Sequence, residues 1–148
     1  MKQARSAMCA LRFKWKTAAE GECMSAIGDA AGRVLIVEDE ALVRLSARAE
    51  IEAAGFKVYE ANNADEAIRI LEANSDIELV FTDVDMPGSM DGVRLAHYVR
   101  TRWPPVKIIV TSGYQHVTAE QLPKGSLFLS KPYEPELVRR QIKSLLNA

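Results

Sequence analysis

The sequence predicts an α/β fold in which helices cover both faces of one parallel sheet. Five short stretches rich in Val, Ile and Leu alternate with helical patterns, and the connections between them are short. Strands and helices that alternate in this way favour parallel strands joined by right-handed crossovers. The strands are continuously apolar, as expected for strands buried on both faces. The 148 residues, with a net charge of −1, suit a single domain of this class.

The first strand is predicted at residues 34–37, where a β-branched run ends at three acidic residues. A helix follows, because apolar residues then recur at helical spacing. Its predicted inward face consists of Val43, Ala47, Ile51 and Ala54. Gly55 ends this helix, since glycine commonly occupies the position after a helix.

The second strand and helix are predicted between residues 56 and 71. Residues 56–59 have the composition of a short strand. Asn63, with Glu66 three residues later, resembles a capping box that opens a helix. The predicted inward face of that helix consists of Ala67, Ile68 and Leu71.

The third strand, residues 79–83, ends abruptly in carboxylates followed by a Pro-Gly turn. The third helix opens at residues 91–92 and stops at two prolines, 104 and 105. Its predicted inward face consists of Leu95, Ala96 and Val99.

The fourth and fifth strands are predicted at residues 107–111 and 127–130. Between them Pro123 limits any helix to about two turns, so the fourth helix is expected to be short. The last helix follows residues 131–132, and its inward face is predicted to be Val138, Ile142 and Leu145.

Polar side chains follow the strands of this predicted sheet. They are Glu38 and Asp39 after the first strand, Asp83 after the third, Thr111 after the fourth and Lys131 after the fifth. Parallel strands bring their carboxyl ends to one edge, where ligands collect. A carboxylate there is a metal ligand, a nucleophile or a turn residue. Crowded carboxylates repel one another unless a cation neutralises them, and Mg²⁺ suits such a site.

Four motifs in this order resemble the receiver domain of bacterial two-component response regulators. They are VEDE at 37–40, TDVDMPG at 82–88, VTSGY at 110–114 and SKPY at 130–133. The resemblance covers about residues 33–146. It implies a doubly wound, flavodoxin-like sheet of five parallel strands in the order 2-1-3-4-5, with a shortened fourth helix.

The resemblance also implies the roles of the site residues. Asp83 is expected to be the phosphoacceptor, and Thr111 and Lys131 to contact the phosphoryl group. Phe128 is expected to be the switch aromatic that responds with Thr111. The expected ligands of Mg²⁺ are Glu38, Asp39, Asp83 and the backbone carbonyl of Asp85.

The function implied is that of a stand-alone receiver in a phosphorelay. A sensor histidine kinase or a phosphotransfer protein would donate a phosphoryl group from phosphohistidine, and a downstream protein partner would read the resulting conformation. No enzymatic activity is expected beyond the receiver's own phosphorylation and dephosphorylation. We expect a cytoplasmic protein, monomeric or dimeric on phosphorylation, that binds neither nucleic acid nor membrane.

Four features of the sequence lie outside the receiver pattern or depart from it. Residues 1–32 are basic and lack apolar periodicity, so we expect a poorly ordered extension before a domain at 33–148. Ser89 adds a residue to the loop after the third strand, and the shortened fourth helix resembles a subgroup of stand-alone receivers. Asp85 stands where receivers usually have a neutral residue, which leaves the lifetime of the phosphorylated state open.

Two other functions are compatible with parts of the sequence. The residues TDVD after an apolar strand also match the nucleophile motif of haloacid-dehalogenase-like phosphatases, with Asp83 as nucleophile and Asp85 as general acid. The order of the acidic residues argues against this, because the pair Glu38 and Asp39 precedes the nucleophile here. A pseudo-receiver that binds partners without phosphorylation is disfavoured by the presence of Asp83, Thr111 and Lys131.

Overall fold

The computed structural model describes residues 32–113 and 117–147. The prediction of a poorly ordered extension at residues 1–32 lies outside the described residues, apart from Gly32. Within the described ranges, every helix is too short or too polar to cross a membrane.

Five parallel strands form one sheet in the order β2-β1-β3-β4-β5, which confirms the predicted fold class. The strands are β1 at Arg33–Val37, β2 at Lys57–Ala61, β3 at Leu79–Asp83, β4 at Lys107–Ser112 and β5 at Leu127–Ser130. The chain leaves β1 for one side of the sheet and later returns to its other side at β3. A crevice is expected at this switch point, beyond the carboxyl ends of β1 and β3.

Within the described residues, four α-helices cover the two faces of the sheet. They are α1 at Ala41–Ala53, α2 at Ala64–Ala73, α3 at Gly92–Arg102 and α4 at Pro135–Asn147. One face packs against α2 and α3, through residues such as Leu71, Leu95 and Val99. The other packs against α1 and α4, through Ile51 and Ile142. The strands are therefore covered on both sides, as their continuous apolar character predicted.

Side chains cap the first turns of α2 and α3. The Asn63 side chain accepts a hydrogen bond of 2.8 Å from the Glu66 N–H, as predicted for a capping box. The returning Glu66 carboxylate bonds the N–H of Asn62, one residue earlier than in the usual box. At the start of α3 the Asp91 side chain accepts from the Arg94 N–H at 3.0 Å.

Helix α1 is less buried than its sequence pattern predicted. Of the four residues expected on its inward face, only Ile51 is fully buried. Leu42 and Leu45 are 80% and 60% exposed. The helix contacts β1, β2 and α4, and the other three predicted positions, Val43, Ala47 and Ala54, are only partly buried.

The connection from β4 to β5 contains a single turn of 3₁₀-helix, Ala119–Gln121, within its described part, residues 117–126. This agrees with the predicted shortening of the fourth helix. The turn is anchored by buried Val117 and Leu122. The His97 ring on α3 also hydrogen-bonds the Gln121 carbonyl at 2.7 Å.

Gly92 allows α3 to begin directly against the end of β3. A Cβ atom at this position would lie 2.0 Å from the Asp83 carbonyl oxygen and 2.8 Å from the Val84 Cα. Because both are backbone atoms, neither can move aside alone. We expect Gly92→Ala to lower the free energy of unfolding by about 3 kcal/mol, measured by denaturant titration.

Gly113→Ala is the matched control for this substitution. A Cβ atom at Gly113 would make ordinary contacts, at 3.4 and 3.6 Å, with side-chain atoms of Lys131. Its expected cost is below about 1 kcal/mol. Equal losses of stability in the two variants would contradict the close packing of α3 on β3.

Candidate functional site

Three carboxylates meet at the carboxyl edge of the sheet. Glu38 and Asp39 follow β1 and Asp83 ends β3, and each offers an oxygen that lies within 4.8 Å of the other two. Both residues after β1 reach one site because the strand has already ended at Val37, so strict alternation no longer applies. The adjacency of β1 and β3 therefore brings together the acids predicted from strand ends.

Two of these carboxylates are buried. Glu38 and Asp83 are each only 5% exposed. Burial raises the pKa of Asp83, against the lowering effects of Lys131 and of the Asp85 N–H. Burial also raises the pKa of Glu38, although the Glu40 N–H donates a hydrogen bond of 3.2 Å to its carboxylate. Holding both groups ionised therefore costs free energy that nearby positive charge reduces.

Lys131 supplies part of that charge. Its Nζ atom lies 3.3 Å from Glu38 Oε1 and 3.4 Å from Asp83 Oδ1. Burial alone would lower the pKa of Lys131, but the two carboxylates outweigh that effect and raise it. The side chain is therefore an ammonium directed at the acids. The peptide bond from Lys131 to Pro132 is cis.

An open cavity of about 610 Å³ lies over these groups. Its lining includes the acids Glu38, Asp39, Glu40, Asp83 and Asp85, together with Lys131. Buried Asp83 Oδ1 accepts no hydrogen bond from any described residue and has only the long ion pair with Lys131. Clustered carboxylate oxygens are the donors that Mg²⁺ prefers, and the single Lys131 ammonium offsets only part of their negative charge. The residues present thus fit a divalent cation.

The other predicted site residues are Thr111, Asp85 and Phe128. Thr111 is 1% exposed and pairs with Asp83 in the strand register. Asp85 also lines the cavity, and the expectation that its backbone carbonyl is a metal ligand stays a prediction. Phe128 pairs with Val110, one residue before Thr111, and packs half-buried against the core under α2 and α3.

Two residues that contact the site, Arg44 and Ser112, were not predicted from the sequence. Arg44 on α1 donates a hydrogen bond of 2.8 Å to the Glu38 carbonyl, and its Nε bonds Glu60 on β2 at 3.2 Å. The Ser112 hydroxyl donates to Asp85 Oδ2 at 3.0 Å. The position of Ser112 directly after Thr111, at a strand end, was the available signal. No local pattern indicated Arg44, whose contacts depend on the pairing of β1 with β2.

The family model of the response regulator receiver domain matches residues 34–143. The chain belongs to this family. The resemblance drawn from the four sequence motifs is thereby confirmed, and the protein contains a receiver domain, the signalling domain of two-component systems.

Curated relatives of this receiver domain come from several bacteria. It is 35% identical over 118 residues to the sensor kinase CckA of Brucella abortus (strain 2308), a match covering 77% of this chain and 12% of that protein. It is 32% identical over 118 residues to the transcriptional regulatory protein ResD of Bacillus subtilis (strain 168), covering 78% and 48%. The chain thus spans less than half of either relative.

Solved structures agree with this assignment. A response regulator receiver protein from Sinorhizobium medicae WSM419 matches with a TM-score of 0.73 and 29% identity, over 80% of this chain and 97% of that one. The receiver domain of the hybrid histidine kinase CckA matches with a TM-score of 0.67 and 35% identity, over 78% and 99%. The domain therefore has the receiver fold.

Proposed function

We propose that this cytoplasmic receiver domain, residues 33–148, accepts a phosphoryl group on Asp83 from a phosphohistidine of a sensor histidine kinase or phosphotransfer protein. The main observation in support is Asp83 Oδ1, a buried carboxylate oxygen beside Lys131 that accepts no hydrogen bond from the described residues. The phosphorylated domain would then signal to a downstream protein partner.

The transfer requires one bond to form and one to break. An Asp83 carboxylate oxygen attacks phosphorus, the bond from phosphorus to the donor's imidazole nitrogen breaks, and its electron pair stays on that nitrogen. Such a reaction depends mainly on positioning and charge stabilisation. Lys131, at 3.4 Å from Asp83, and the hydroxyl of neighbouring Thr111 would hold the phosphoryl oxygens.

Glu38, Asp39 and Asp83, with the backbone carbonyl of Asp85, would hold Mg²⁺. The bound ion would neutralise negative charge on the acids and on the phosphoryl oxygens. The Arg44 hydrogen bond to the Glu38 carbonyl supports this arrangement, because it fixes the backbone that carries two of the ligands.

The signal would pass from Asp83 through Thr111 to Phe128. Thr111 is buried beside Asp83. Phe128 on β5 pairs with Val110, the residue that precedes Thr111 on β4. Drawing Thr111 towards the phosphoryl group would bias two states that differ in the exposure of Phe128.

We expect a phosphoryl mimic to shift the aromatic NMR signals of Phe128. The indole of Trp103, at the end of α3, serves as the internal control and should stay unchanged. Identical Phe128 signals in both states would contradict this relay.

The test of the function is label transfer from a phosphorylated histidine donor. We expect the domain to take up label when Mg²⁺ is present and to lose this ability when the ion is chelated. The same preparation should leave a generic phosphate ester intact. Sustained turnover of that ester would favour the haloacid-dehalogenase-like phosphatase that uses Asp83 and Asp85. Absence of both label and Mg²⁺ binding would favour the pseudo-receiver.

A further inference from the structure

Ser112 joins the two loops that border the cavity. It is the last residue of β4 and is 2% exposed. Its hydroxyl donates a hydrogen bond of 3.0 Å to Asp85 Oδ2, in the loop after β3. Its backbone carbonyl accepts the N–H of Lys131, after β5, at 2.9 Å. One buried residue thus fixes Asp85 relative to Lys131.

Asp85 is well placed to act on a group carried by Asp83. Its N–H donates to the Asp83 carboxylate, the negative charge of its own carboxylate raises the pKa of Asp83, and the residue lines the same cavity. The carboxylate lies outside the three-acid cluster of Glu38, Asp39 and Asp83. A carboxylate held by a buried hydroxyl is a fixed hydrogen-bond acceptor, towards which a water molecule entering the cavity will orient.

We propose that Ser112 is a positioning residue that holds the Asp85 carboxylate where it orients the water that hydrolyses phosphorylated Asp83. This proposal rests on the proposed phosphoacceptor function. The water oxygen bonds phosphorus, the bond from phosphorus to the Asp83 oxygen breaks, and its electron pair returns to the Asp83 carboxylate. The proton lost by the water goes to solvent, and inorganic phosphate leaves. Ser112 and Asp85 together therefore shorten the lifetime of the phosphorylated state.

The experiment follows the loss of label from domain phosphorylated by acetyl phosphate, after the donor has been removed. Because only labelled molecules are followed, the rate of loss does not depend on the rate of uptake. We expect Ser112→Ala to lengthen the half-life about 5-fold, the effect of losing one hydrogen bond. Asp85→Ala should lengthen it at least as much, since it removes the acceptor itself.

The double variant shows whether Ser112 acts through Asp85. We expect Ser112→Ala to have no further effect in an Asp85→Ala background, because no carboxylate remains to be held. Ser112→Thr, which keeps the hydroxyl, should restore a half-life close to that of wild type. Ser126→Ala is the matched control, since the buried Ser126 hydroxyl has no hydrogen-bond partner among the described residues and lies before β5.

Three results would overturn the inference while leaving the proposed function intact. In each case the wild type takes up label. The first result is a half-life of the label in Ser112→Ala equal to that of wild type, and the second is the same finding for Asp85→Ala. The third is a double variant in which the two single effects on the half-life multiply. A wild type that takes up no label from acetyl phosphate or from a phosphohistidine donor would instead overturn the proposed function, and this inference with it.

Discussion

Asp83→Asn is expected to abolish the transfer of label from a phosphohistidine donor. The amide keeps the shape of the side chain but removes the anionic oxygen that attacks phosphorus. The lost group is one of two buried carboxylates beside the Lys131 ammonium. The other, Glu38, is proposed as a metal ligand, so no equivalent nucleophile is expected to replace Asp83. The measurement is label incorporated with time at saturating Mg²⁺. Label that persists in the variant at the wild-type rate would contradict the assignment.

The stability of the same variant provides the control for its fold. Burial raises the pKa of Asp83 above its ordinary value of 3.8, so the folded state favours the protonated carboxyl. The stability contributed by this preference is lost as pH rises through the raised pKa. In the absence of metal, we therefore expect Asp83→Asn to have a higher Tm than wild type at neutral pH. The difference should shrink as the pH falls towards 3.8. A lower Tm at neutral pH would show that the amide disrupts the site.

Asp39→Asn is expected to slow label transfer by weakening Mg²⁺ binding, with rescue at high Mg²⁺. Asp39 belongs to the three-acid cluster but is the exposed member, so it serves as a ligand and is not the acceptor. We expect the Mg²⁺ concentration for half-maximal rate to rise by at least about 10- to 100-fold. Initial rates across a Mg²⁺ titration provide the measurement.

Glu40→Gln is the matched control for Asp39→Asn. Glu40 also lines the cavity but lies outside the three-acid cluster, so the change in charge is the same without loss of a ligand. Its half-maximal Mg²⁺ concentration should stay close to that of wild type. Equal shifts in the two variants would indicate a general effect of charge, and no recovery of Asp39→Asn at high Mg²⁺ would contradict its role as a ligand.

Much of the fold could be predicted because its signals are local. The fifth strand was predicted at residues 127–130, where β5 lies. The third helix opens at Gly92, after Asp91, and ends at Arg102, before the two prolines, as predicted. The exposure of Leu42 and Leu45 was not predictable in the same way. Helical spacing identifies the apolar face of α1. How much of that face is buried depends on how the helix packs against β1, β2 and α4.

The candidate site likewise has residues that could be predicted from local signals and contacts that could not. The acids were predictable because each directly follows a strand, and the switch point between β1 and β3 then brings them together. The contact between Ser112 and Asp85 joins residues 27 positions apart and depends on the register of β3 with β4. The bond from Arg44 to the Glu38 carbonyl likewise depends on where α1 begins. Such contacts follow from tertiary geometry, and the sequence pattern carries no periodic signal for them.

The position of the phosphoryl group tests the central claim most directly. The wild-type domain would be labelled from a phosphohistidine donor, and the acyl phosphate reduced with borohydride, which converts a phosphorylated aspartate to homoserine. Mass spectrometry of the peptides that contain residues 79–88 and residue 39 would then identify the modified position. The account predicts homoserine at position 83 and unmodified aspartate at position 85. Homoserine at position 85 or 39, or label that leaves every aspartate unmodified, would contradict it.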